Sequence, residues 1–433
     1  MRRTACMVAA AAMVSLAMAA PTHAAFPGAN GRIAFESDRQ TPLPGIYTVR
    51  PDGTGLRYLP AGRFGRQPAW SPDGRRIAFV RNSLEAGNNQ LHIMDADGTN
   101  LTWVPNTGIM RDPAWAPDGR HLVFSDFDDH RIYSIRTDGT ERTELARGRD
   151  EMDPAWSPDG TQIAFISNRL TDDVWSGFQL VYKMNADGTN QTRLTTFALF
   201  EEHPNWSPDG KRIAFHSSRP PFGGILGIDP DGGNLQVIAS GQRAINWWPA
   251  WSPDGEKIVF TKNENDEHAY SIWTMNADGS GQVPLTRFGH FDLEPDWQPV
   301  PPGNRPPDCA GVTATPVELA PDDRFFRTVA LSATDPDGDE VTLTITGVTQ
   351  DEPVRGGPDK TAPDAEAGEV PDEVRLRAER RNGRDGRVYR VAFTAEDIFE
   401  ARCTGTATVS VRKKPKDPAV DSAPPSHDSF GTG

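Results

Sequence analysis

The sequence predicts an all-β chain, a six-bladed β-propeller followed by a β-sandwich, and three observations carry that expectation. Tryptophans recur in matching surroundings at Trp70, Trp115, Trp156, Trp206, Trp251 and Trp297, spaced by 45, 41, 50, 45 and 46 residues, a period that fits blades of four short strands. Apolar residues alternate in "IYTV", "LHIM", "IYSI", "VYKM" and "IWTM", as in strands that are half buried. Gly and Pro number 40 and 38 among 433 residues, well above the roughly 12% of average proteins, so turns outweigh long helices.

Each repeat reads as four strands in order. Strand a is the "PAW" segment, and an "SPDG" turn leads to strand b, "RIAF"; a variable loop then reaches strand c, "LHIM", and "DADG" turns into strand d, as in "TRLT". In Ser-Pro-Asp-Gly the proline presets φ, the aspartate accepts local backbone hydrogen bonds and the glycine takes the left-handed conformation. The recurring tryptophan buries ~150 to 250 Å² between blades. At ~25 cal/mol per Å² that is an upper bound of about 4 to 6 kcal/mol each. The repeat is therefore structural, and function is sought where the copies differ.

Counting closes the ring. Strands of type b begin at Ile33, Ile77, Leu122, Ile163, Ile213 and Ile258, but the first lacks a preceding "PAW" and the last copy, "EPDWQPV", lacks a following b strand. The Trp297 segment should complete the blade begun at Ile33, so that both ends of the propeller share one blade and no sheet edge is left open.

The motifs "WSPDG" and "MNADG" resemble those of the WD40-like (PD40) propellers of the TolB-like superfamily, over about Phe26 to Pro299. That resemblance implies the propeller fold and, for TolB itself, work with the Tol-Pal envelope system. TolB carries an α/β domain ahead of its propeller, whereas this sequence enters the repeats almost at once after its leader. A Tol-Pal-like role is therefore one alternative. Related propellers precede α/β-hydrolase domains in prolyl-oligopeptidase-like peptidases, but no G-x-S-x-G nucleophile elbow occurs in this sequence.

The N-terminus has Arg2 and Arg3, an Ala-rich apolar run and small residues around Thr22, His23 and Ala24, which reads as a signal peptide over residues 1–24 and a secreted or periplasmic product. "TACM" after the arginine pair fits a twin-arginine signal poorly. No later stretch approaches the ~18 apolar residues that span a bilayer. The net charge of -15 argues against nucleic acid, which needs a clustered basic face. A monomer is expected.

Residues 26–299 are assigned to the propeller, 300–308 to a Pro-rich linker, 309–412 to the sandwich and 413–433 to a tail of disordered composition. Alternating strands such as "TVALSAT" and "EVTLTITGV" support a sandwich, whose "SATDPDGDEVTLTITG" resembles the start of cadherin-like or immunoglobulin-like modules. Residues 351–371 read as a flexible loop. Loss of Cys6 with the leader leaves Cys309 and Cys403, an expected disulfide closing 95 residues and contributing roughly 4 to 5 kcal/mol in chain-entropy models.

In a blade, the b-to-c and d-to-a connections emerge at the channel mouth and the repeated turns on the other face. Candidate ligand-binding residues on the mouth face are Asp112, Asp153, Glu202, His203, Trp247, Trp248, His290 and Glu294. They support a non-catalytic binding or scaffold protein for an envelope or extracellular protein or glycan. The alternative is a carbohydrate lyase or glycosidase using Asp112, Asp153, Glu202 and Glu294. Trp247 and Trp248 could stack on a ligand, with blade packing as the competing reading. A zinc site on His203 and His216 lacks identifiable further ligands. No cofactor is expected. Asp335, Asp337 and Asp339 in "DPDGD" are weak calcium candidates, since Gly338 is fourth and Thr346 twelfth in a loop where an EF-hand has Gly sixth and Glu twelfth; a structural turn is preferred.

Overall fold

The structure is a computed structural model that describes residues 25–39, 44–82, 89–148, 150–169, 178–196, 200–218, 223–240, 244–264, 270–287, 289–320, 325–351, 364–378, 387–412 and 427–428. The leader assigned to residues 1–24 and most of the C-terminal tail lie outside these.

Strand b of every blade carries an apolar run ending in phenylalanine, and Phe35, Phe79, Phe124, Phe165, Phe215 and Phe260 are all fully buried. These strands sit second in six four-stranded antiparallel sheets. The apolar core lies between neighbouring sheets: Ala78, Val80 and Leu91 of one blade pack with Trp115, Leu122 and Phe124 of the next. Strand a of each blade lies innermost, around a central channel. In the closing blade Leu293–Val300 pairs with Ala29–Ser37, with Ile33 opposite Trp297 and Ala34 opposite Asp296. Both ends of the propeller therefore share a sheet, as the sequence count requires.

The repeated turn owes its sequence to hydrogen bonds. Ser71, Ser157, Ser207 and Ser252 donate through Oγ to Asp73, Asp159, Asp209 and Asp254 at 2.5–2.7 Å, and each Oγ accepts from the backbone N–H five residues on. Ala116 breaks the series, and there Asp118 takes the N–H groups of Arg120 and His121 instead. Five of the six repeat tryptophans are buried and Trp156 is half-buried. Trp115 Nε1 donates to Ala69 O at 3.0 Å and Trp206 Nε1 to Ala155 O at 3.2 Å, so these rings tie adjacent blades by polar as well as apolar contact.

The C-terminal residues form two sheets. One contains Thr313–Thr315, Phe326–Ser332, Glu373–Arg377 and Ala365–Ala367; the other contains Glu318–Leu319, Arg402–Val411, Arg387–Glu396, Thr342–Gln350 and His427–Asp428. Val329, Leu331, Val391, Phe393 and Val409 fill the space between them. Cys309 and Cys403 form a disulfide with Cα atoms 5.9 Å apart. Of the segment read as a flexible loop, 352–363 lies outside the described residues, but Ala365–Ala367 is a strand paired to Val374–Leu376; its alternation was too short to register in the sequence. The sandwich contacts the propeller on the repeated-turn face. Glu400 pairs with both Arg32 and Arg50, Asp339 pairs with Arg75, and the mouth face carries none of these contacts.

Candidate functional site at the channel mouth

In each strand a the residue before proline has left-handed backbone: Gln67, Asp112, Asp153, His203, Trp248 and Glu294 have φ between 50° and 54°. Each lies in a break of the ladder to strand b, the mark of a β-bulge that re-aims a side chain. For residues other than glycine this region costs roughly 1–2 kcal/mol, and a following proline favours extended backbone instead. The strain is thus repeated in every blade. Its consequence is that all six residues line one cavity of about 180 Å³ along the channel.

The ring is knit between blades. Asp112 N donates to Gln67 Oε1 at 3.0 Å, and Gln67 Nε2 donates to Asp112 and, at 3.4 Å, to Glu294 Oε1. His203 N donates to Asp153 Oδ2 at 2.9 Å. One position beyond the proline, Asp296 accepts from Trp70 N at 2.7 Å and Asn205 from Trp251 N at 3.0 Å.

Four carboxyls, Asp112, Asp153, Glu294 and Asp296, stand on this wall, with Glu36 beside Glu294. Burial, reinforced by Asp153, pushes Asp112 up to about 7, and burial pushes Asp153 up to about 6. Burial also raises Glu36 to about 7, against the opposing pull of Arg66, and lifts Glu294 well above the usual range, helped by the charges of Glu36 and Asp112. Asp296 stands at about 7 through burial alone. Burial lowers His203 despite the acids near it. Asp112 Oδ2, Glu294 Oε2 and Trp248 Nε1 are buried without a hydrogen-bond partner. The channel wall therefore holds oxygen acceptors and protonated acids with spare capacity, next to an indole face.

Of the eight candidates, Asp112, Asp153, His203, Trp248 and Glu294 line the channel. The other three lie beside it. Glu202 points along the alternate side of its strand to His216 Nδ1 at 3.3 Å, which lowers its carboxyl. Trp247 stacks on Tyr270 with ring centroids 5.6 Å apart, and Tyr270 meets Phe291 at 5.6 Å. His290 Nδ1 stands 3.4 Å from Asp38. His203, Trp248, Trp247, Tyr270 and Phe291 form a continuous run of rings from channel to surface. Gln67 and Glu36 escaped the sequence reading. Gln67 was legible as the pre-proline residue of "QPAW"; Glu36 enters only through its pairing next to Leu293.

In the sandwich, Asp337 is held by Arg305, whose N, Nε and Nη2 donate to it at 2.8–3.1 Å. The "DPDGD" trio does not converge. Asp335 and Asp339 instead meet Asp397, with one carboxylate oxygen of each within 4.8 Å of the others.

Comparison with known proteins completes the account of the propeller. The family model described as the TolB beta propeller domain matches residues 67–301. The chain belongs to this TolB propeller family. Among solved structures, TolB from Acinetobacter baumannii is 23% identical with a TM-score of 0.52, over 62% of this chain and 67% of that one. A putative TolB from Agrobacterium tumefaciens is also 23% identical, with a TM-score of 0.48, over 63% and 99%. Kuenenia stuttgartiensis hydrazine synthase is 12% identical with a TM-score of 0.51, over 89% and 68%. At these identities the likeness is one of fold. Comparison with curated proteins found no significant match.

Proposed function

We propose that this member of the TolB propeller family is an exported, non-catalytic binding protein. It takes one side-chain-sized group of an envelope or extracellular protein or glycan into the channel mouth. The reading assigns six blades to 26–299 and an immunoglobulin-like spacer or second contact module to 309–412. The observation that carries it is the ring of six left-handed pre-proline residues, which aims five residue types into one cavity at a repeated cost in strain. A cavity of about 180 Å³ is below the ~300 Å³ of ordinary small-molecule sites, which favours insertion of one protruding group with the rest of the ligand on the aromatic run. Glu294 Oε2, buried without a hydrogen-bond partner, favours a donor-rich or cationic group.

A glycosidase reading would need two carboxyls ~5 to 9.5 Å apart, and it would draw them from the same wall, where Asp112, Asp153 and Glu294 stand. A Tol-Pal-like partnership rests on the family alone.

The test is a panel of immobilised envelope peptides and glycans probed with the full chain and with Asp112→Asn, Trp248→Ala and Glu294→Gln variants. Binding weakened at least tenfold by these substitutions supports the proposal. Binding indifferent to all three overturns it, and turnover of a panel member that these substitutions abolish transfers the site to the enzyme reading.

A further inference from the structure

The second cluster of acids lies on the opposite side of the propeller, where the sandwich meets it. Two chain segments supply it: Asp335 and Asp339 from the turn after Phe326–Ser332, and Asp397 from the connection between Arg387–Glu396 and Arg402–Val411. Asp397 is fixed in place. Its Oδ1 accepts from the N–H groups of Phe399 and Ala401, both at 2.8 Å, and its Oδ2 accepts from Asn304 Nδ2 at 2.9 Å. Asp335 Oδ1 accepts from Asp337 N at 2.7 Å and Asp339 N at 3.3 Å.

Two oxygens of the cluster lack hydrogen-bond partners. The Asp339 side chain is 1% exposed, and its Oδ2, like Oδ2 of Asp335, is buried with no hydrogen-bond partner. The positive charge facing the cluster is Arg75, paired to Asp339 Oδ1; Arg305, the other guanidinium at this turn, is turned to Asp337. Burial raises the Asp339 carboxyl, with Asp335 and Asp397 adding to the rise and Arg75 opposing it. The three acids face Arg75, with Arg305 acting on Asp335 from its place at Asp337, and because Asp339 and Asp397 are buried the negative charge left over is costly unless a cation joins it.

We propose that Asp335, Asp339 and Asp397 bind a hard divalent cation, calcium by preference, between the sandwich and the propeller. All the donors are oxygen, which excludes soft-metal selectivity. Carboxylates set by separate loops suit the adaptable sphere of calcium better than the strict octahedron of magnesium. The ion would lie beside the linker, whose Asn304 orients Asp397, and would compete with Arg75 of the propeller for Asp339.

Isothermal titration of calcium chloride into chelator-treated full chain tests the proposal. One ion per chain is expected, in the 10⁻⁴ to 10⁻³ M range of extracellular calcium modules. Asp335→Asn retains an oxygen to accept both N–H groups of the turn, so it should weaken binding at least tenfold without unfolding the chain. Asp337→Asn should leave affinity within about twofold. Arg75→Ala is the second discriminant: it removes the competing cation and should tighten calcium binding severalfold, whereas a purely structural role for the cluster predicts no such gain. Absence of binding at 10 mM calcium, or loss with Asp337→Asn but not Asp335→Asn, overturns the proposal.

Discussion

Replacing Asp112 by asparagine should stabilise the protein, and only at higher pH. Asp112 is raised from the ordinary 3.8 to about 7, chiefly by burial and next by the charge of Asp153. Between those values the folded protein holds a proton that the unfolded chain has released. Stability therefore falls as pH rises through about 4 to 7, by up to ~1.4 kcal/mol per pH unit from this group. Over the whole window the penalty is about 4 kcal/mol at most. Asparagine keeps an acceptor for Gln67 while ending the ionisation. The variant should gain about 2 to 4 kcal/mol at pH 8, reduced from the maximum because the ionisation of Asp112 depends on that of Asp153, and almost nothing at pH 4. Urea unfolding of both proteins across pH 4 to 8 measures the difference directly. A difference that does not change with pH, or a variant less stable than the parent at pH 8, would refute the reasoning. Stability given up at a cavity wall in this way is characteristic of a site kept for function.

Two further predictions concern the frame. Trp206→Ala removes a buried ring and the Nε1 bond to Ala155 O in the adjoining blade, and should cost about 3 to 5 kcal/mol in urea unfolding; a loss under 1 kcal/mol would contradict the role given to the repeat tryptophans. Glu400→Gln leaves Arg32 without its ion pair, and burial already lowers that guanidinium. The cost should be about 2 to 4 kcal/mol, with the linker near Asn304 cut sooner by protease, and unchanged stability and cleavage would show that the pair contributes nothing.

The frame was legible because its signals are local and repeated. A tryptophan every 41 to 50 residues and a serine–aspartate turn satisfied within six residues need no knowledge of distant contacts, and the unmatched Ile33 and Trp297 segments announced their pairing by subtraction. The site was legible in part. Reading acidic and aromatic residues before strand a found five of the six channel residues, but it also admitted Glu202, Trp247 and His290. The reason is the left-handed bulge, which local preference before proline disfavours; without it, Glu202 and His203 or Trp247 and Trp248 cannot be told apart by side. Selection by charge passed over Gln67 although it holds the same position. Asp397 was beyond reach, since nothing local in the sequence links it to a turn some sixty residues earlier.

The central claim is that ligand enters where the six left-handed residues meet. A photo-crosslinking amino acid placed at position 248, in the ring, and separately at position 187, in a repeated turn on the other face, tests this most directly in the presence of a ligand identified by the binding panel. The account predicts a covalent adduct from position 248 and none from 187. Capture from 187 alone would place recognition on the repeated turns and contradict it.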